Sequence, residues 1–91
     1  MRVRIVFRKD CPCVGAARAN VDAALALLGR SAQVEEVPLE TEQDAQREGM
    51  RGSPTVFIDG RDPFPPADAA ATLTCRPNGA PTVRQLLEAL S

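Results

Sequence analysis

The sequence predicts an α/β sandwich, with elements in the order β-α-β-α-β-β-α around a mixed, four-stranded central sheet. Three observations predict it. Near residues 2–8 and 53–58, short apolar runs have the two-residue period or turn-bounded length of strands. Across 13–28, 41–49 and 82–90 the pattern becomes helical. Helical crossovers join parallel strands, whereas the Asp59-Gly60 turn calls for an antiparallel pair. At 91 residues the chain forms one domain, 1–91, with no room for a second core.

Each element follows from local signals. Val3, Ile5 and Phe7 alternate with Arg2, Arg4, Val6 and Arg8, so the first strand buries at least one face. Lys9-Asp10-Cys11-Pro12 is a loop, and Pro12 suits a first helical turn because its missing N–H is not needed there. From Cys13, Val14, Ala17, Val21, Ala24, Leu25 and Leu28 fall on one stripe, and Gly29 ends that helix. Gln33 to Leu39 reads as a short strand. Thr41 caps a short helix, Glu42 and Asp44 suit its first turn, and Gly49 closes it. Ser53 to Ile58 is a strand opened by Pro54 and closed by Asp59-Gly60. Residues 61–71 and 77–81 read as loops, with a strand at 71–75 between them. Thr82 caps the last helix, with Gln85 three residues on as in a capping box, and Val83, Leu86, Leu87 and Leu90 form its apolar face.

Composition narrows the function classes. There are 11 basic and 12 acidic residues, which gives no reason to expect a nucleic-acid or membrane-surface partner. The chain has no His, Trp or Tyr and only three Phe. Without His there is no Ser-His-Asp or Cys-His catalysis and no His-containing metal site. Few rings are left to stack bases. No apolar run approaches the roughly 20 residues of a membrane helix. The strand-like N-terminus lacks a signal peptide's apolar stretch, so a cytoplasmic location is expected. Three cysteines in a reducing compartment point to reactive or metal-binding thiols more than to staples.

Cys11 is the most informative residue. It sits where the first strand hands over to the first helix, against backbone N–H groups whose partial positive charge favours a thiolate. Lys9 and Arg8 add nearby cations, and Pro12 with the loop position argues for exposure. A thiolate attacks disulfides and binds soft metals. Pro54 is the second marker, since Ser53-Pro54-Thr55-Val56 ahead of a strand fits a cis peptide.

Cys11-Pro12 before a helix, with Gly52-Ser53-Pro54-Thr55-Val56 at a later strand, resembles the thioredoxin superfamily. The resemblance implies a thioredoxin-like fold. It also implies a cis-proline loop beside the reactive cysteine, with Ser53, Pro54 and Thr55 meeting the bound partner. The run from Gly52 to Phe64, Cys75-Arg76, and the stretch Gly79 to Leu86 resemble small bacterial thioredoxin-like proteins related to organomercurial (alkylmercury) lyases. Two departures stand out. Thioredoxin's Cys-x-x-Cys is here Cys11-Pro12-Cys13, with Val14 in the partner's place. The lyases' Asp three residues after the first cysteine is also Val14, so the proton donor for carbon–mercury cleavage is missing. Cys11 and Cys75, 64 residues apart, resemble the lyases' spaced pair.

Either Cys13 or Cys75 could partner Cys11. A bridge between positions two apart closes a strained ring. An antiparallel return of the last strand would bring Cys75 back near Pro54, and the longer loop gains about 4 kcal/mol from chain entropy. This favours Cys11–Cys75 as the stable pair and makes any Cys11–Cys13 bridge labile. The first functional reading is a thiol–disulfide oxidoreductase with catalytic Cys11, Cys13 and Cys75, in which Cys11 attacks and Cys13 or Cys75 resolves the mixed disulfide, with no cofactor and with protein or small-molecule thiols and disulfides as partners. The alternatives are a soft-metal (mercury or copper) thiolate binder using the same three cysteines, and a non-catalytic thioredoxin-like interaction module.

Overall fold

The computed structural model describes residues 1–64 and 79–91 in full and residues 72–75 as backbone. The loop readings over 65–71 and 76–78, and the start of the last strand at Ala71, lie outside the described residues, as does the thiol of Cys75. The element order is β1 (Arg2–Arg8), α1 (Val14–Leu28), β2 (Gln33–Leu39), α2 (Glu42–Glu48), β3 (Arg51–Ser53), β4 (Thr55–Ile58), β5 (Thr72–Cys75) and α3 (Val83–Leu90).

The molecule is α/β, with β1 at the centre of a mixed three-stranded sheet ordered β2-β1-β4. β1 runs parallel to β2, with Arg2 opposite Gln33 and Arg8 opposite Leu39. It runs antiparallel to β4, with Val3 opposite Ile58 and Val6 opposite Thr55. The side-chain alternation of β1 sorts the core onto two faces. Val3 and Ile5, with Val56, pack against Ala17, Val21, Ala24 and Leu25 of α1 and Leu86 and Leu90 of α3. Val6 lies on the other face with Leu39, Ala45 of α2 and Met50.

One expectation about the sheet changes. In place of one four-stranded sheet, the described residues form this three-stranded sheet and a separate two-stranded ladder of β3 and β5. β5 pairs in parallel with β3 and brings Cys75 level with Ser53, the end of the molecule to which the sequence reading had the last strand return. The Asp59-Gly60 turn does form: Ile58 and Arg61 exchange backbone hydrogen bonds of 2.8 and 3.1 Å, with Asp59 at φ 50° and Gly60 at φ 85°. Both central residues with positive φ fit a type I′ hairpin. Among the described residues the hairpin is a single bridge.

The helix signals decide the ends. Thr41 and Thr82 both build reciprocal capping boxes, with Asp44 and Gln85 respectively. Gly29 and Gly49 close α1 and α2 in the left-handed conformation. α1 begins at Val14, one residue later than its apolar period suggests, and Cys13 takes the cap position without a side-chain cap bond.

Candidate functional site

The site is built on the C-terminal end of β1. The backbone N–H of Lys9 donates to the Leu39 carbonyl at 2.8 Å, the last tie to β2. The chain then turns: the Cys11 N–H donates to the Arg8 carbonyl at 2.8 Å. That turn carries Asp10 at φ 72°, a left-handed position uncommon outside glycine and tolerated best by Asp and Asn. The Cys11 carbonyl accepts a long bond from the Val14 N–H, 3.5 Å, and the Cys13 carbonyl accepts from Ala17 at 3.0 Å to open α1. Cys11-Pro12-Cys13 is therefore a hinge between β1 and α1.

The Ser53-Pro54-Thr55 loop stands at the same end. Thr55 lies opposite Val6 in the antiparallel ladder, and the Arg8 N–H donates to Ser53 Oγ at 2.8 Å. Arg8 is thus tied on one side to Ser53 and on the other to Cys11. The Ser53–Pro54 peptide bond is cis. Thr55 Oγ1 donates to the Gly52 carbonyl at 2.7 Å and accepts from the Arg51 N–H at 3.3 Å. Ser53 and Thr55 are both fully buried, and Pro54 is buried with them. A buried hydroxyl must find a partner or carry a desolvation penalty, and both find backbone. In the described structure these side chains brace the loop internally.

The two described thiols differ in exposure. Cys11 is only 4% exposed, against the exposure that Pro12 and the loop position suggested; Cys13 is half-buried. The turn folds Cys11 back over the end of β1, whereas Cys13 stands at the open start of α1. Both thiols are free. A Cβ on Gly79 would stand 3.5 Å from Cys13 Sγ, so the segment leading into α3 passes alongside this sulfur. Asn20 Nδ2 holds that segment against α1 by donating to the Pro81 carbonyl at 2.8 Å. Asn20 was not singled out in the sequence and Gly79 entered only as the start of a resembling stretch, because a contact spanning so much of the chain leaves no local periodic signal.

Cys75 enters through its backbone. In the parallel ladder it lies opposite Ser53, at the end of the molecule that carries Cys11. One nearby cation is paired. Lys9 Nζ donates to Glu40 Oε1 at 3.1 Å, and this hydrogen bond raises the lysine pKa above its usual value. Among the described residues, no cluster of three or more Cys, Asp or Glu side chains could hold a metal ion. No helix among them is long and apolar enough to cross a membrane.

No family model, curated protein or solved structure matches this chain. The functional reading therefore rests on the site alone.

Proposed function

We propose that the protein is a thioredoxin-like thiol–disulfide exchange protein whose redox centre is the Cys11-Pro12-Cys13 turn braced by Ser53-Pro54-Thr55. The observation that carries the reading is the double tie at Arg8, whose N–H is held by Ser53 Oγ and whose carbonyl is held by the Cys11 N–H. It puts the cysteine turn and the proline loop at one end of β1. Cys13, the more exposed thiol, attacks one sulfur of a partner disulfide, forming a mixed disulfide and releasing one partner thiolate. Cys11, its buried neighbour, then attacks Cys13 Sγ and releases the second partner thiolate. The partner disulfide gains two electrons, and the two cysteines lose them as they join.

Equilibration of the reduced protein against glutathione redox buffers tests this, with free thiols counted at each ratio. Two thiols should disappear together around one midpoint, and Cys13→Ser should abolish the transition. A thiol count that stays constant across the series overturns the reading.

A second reading has its own observation. Cys75 lies level with Ser53, so a third cysteine reaches the same end of the molecule, and three thiolates suit copper(I) or mercury(II). Tight, stoichiometric metal uptake without a two-electron midpoint favours that reading.

A further inference from the structure

A second feature lies on the α2 face, remote in kind from the thiol chemistry. A cleft of about 420 Å³ opens there, lined by Gly49, Arg51, Phe57, Gly60, Arg61 and Asp62. Phe57 is half-buried, packed on the small core beneath α2, so one part of its ring is left as an apolar wall. Gly49 and Gly60 contribute no side chain, and a Cβ at either would meet nothing within 4 Å. The cleft is therefore open at its rim.

The arginines of this face divide into two kinds. Arg4 and Arg47 both reach Glu48, and Arg47 also reaches Asp44. Arg51 and Arg61 are anchored through their backbones alone, Arg51 by Thr55 Oγ1 and Arg61 by the hairpin. Among the described residues neither guanidinium has a hydrogen-bonding or ionic partner. A guanidinium presents a planar fork of donors that matches an oxyanion two bonds at a time.

Two features oppose an anion here. Asp62 carries a negative charge, although its Oδ1 already accepts the Phe64 N–H at 2.9 Å. The carbonyl end of α2, at Gly49, adds about half a negative charge. Two full guanidinium charges outweigh the pair. We infer that this cleft binds an organic oxyanion, a phosphate or carboxylate group held by Arg51 and Arg61, with a flat apolar body laid on Phe57.

Titration of the full-length chain with phenyl phosphate at fixed ionic strength tests this, read from amide and arginine Nε resonances in 15N spectra. Saturable shifts are expected at Gly49, Arg51, Phe57, Gly60 and Arg61. Arg51→Gln and Arg61→Gln should each weaken binding about tenfold, which is about 1.4 kcal/mol. Inorganic phosphate and benzoate are the comparison arms. Inorganic phosphate, which has no body for Phe57, should bind less tightly than phenyl phosphate, and Phe57→Leu should narrow that gap. Benzoate tells whether carboxylate serves as well as phosphate. Shifts that never saturate, shifts spread over the other arginines, or an affinity that neither arginine substitution changes would overturn the inference.

Discussion

Cys11 and Cys13 are two residues apart in sequence, yet one is buried and the other half-exposed. A reagent meets Cys13 first. Iodoacetamide on the folded, reduced protein is therefore expected to modify Cys13 well ahead of Cys11, with the gap closing in urea; peptide mapping by mass spectrometry reads the order. If Cys11 is modified first in the folded protein, the assignment of the entering thiol is wrong. Asp44 gives a residue-scale test in pH. Its carboxyl is held below the usual aspartate range, first by the Glu40 N–H and then by Thr41 and Arg47. A lowered folded-state pKa means the folded chain takes up this proton less readily than the unfolded chain. The stabilisation is present above the unfolded value and is lost as pH falls through the folded one. Asp44→Asn should therefore lose less of its urea midpoint than the parent between about pH 6 and about pH 3. Equal losses would remove Asp44 from the acid response.

At the scale of elements, α3 tests how capping and burial combine. The Thr82 hydroxyl accepts the Gln85 N–H at 3.1 Å, and Gln85 Oε1 accepts the Thr82 N–H at 2.9 Å. Thr82→Ala should cost about 1 kcal/mol. Leu86, with 0% exposure, packs against α1 and β1, so Leu86→Ala should cost about 2–5 kcal/mol. Urea unfolding measures both, and a Thr82 cost as large as the Leu86 cost would mean that α3 is held by its cap more than by its core face. β2 shows a different economy. It lies at the edge of the three-stranded sheet, and it carries Glu35, Glu36 and Pro38. Charge and a missing N–H both discourage a second strand from adding there. Arg18 of α1 reaches Glu36 at 3.0 Å and ties this edge back to the fold.

At the scale of the whole molecule the question is which sulfurs meet. The sequence argument for Cys11–Cys75 assumed an antiparallel return of the last strand. β5 runs parallel to β3 and brings the Cys75 backbone level with Ser53, the end of the molecule at which that argument placed it. The argument against Cys11–Cys13 was the strained ring that a two-residue spacing closes where a helix begins at Cys13, but α1 starts at Val14 and both cysteines precede it. Oxidised protein cut with trypsin is expected to yield one peptide in which Cys11 is bonded to Cys13, with Cys75 free. A linked pair of peptides carrying Cys75 would return the assignment to the distant partner.

Local signals carried much of the architecture. Apolar period and capping chemistry located β1, all three helices, the Thr41 and Thr82 caps and the Asp59-Gly60 turn, because each depends on residues within a few positions of one another. They also marked Cys11 and Pro12 as the strand-to-helix junction, with Cys13 read as the first helical residue. What they could not carry was pairing across distance. The short β3 of Arg51–Ser53 has too few residues for a period, and its parallel partner is reached only after the hairpin. The Arg8–Ser53 tie and the passage of Gly79 beside Cys13 join segments far apart in the chain, and the burial of Cys11 and the shared cleft of Arg51 and Arg61 depend equally on the folded arrangement. Those were settled by tertiary packing, because which side chains share a cleft depends on strand order and direction, which local propensity does not encode.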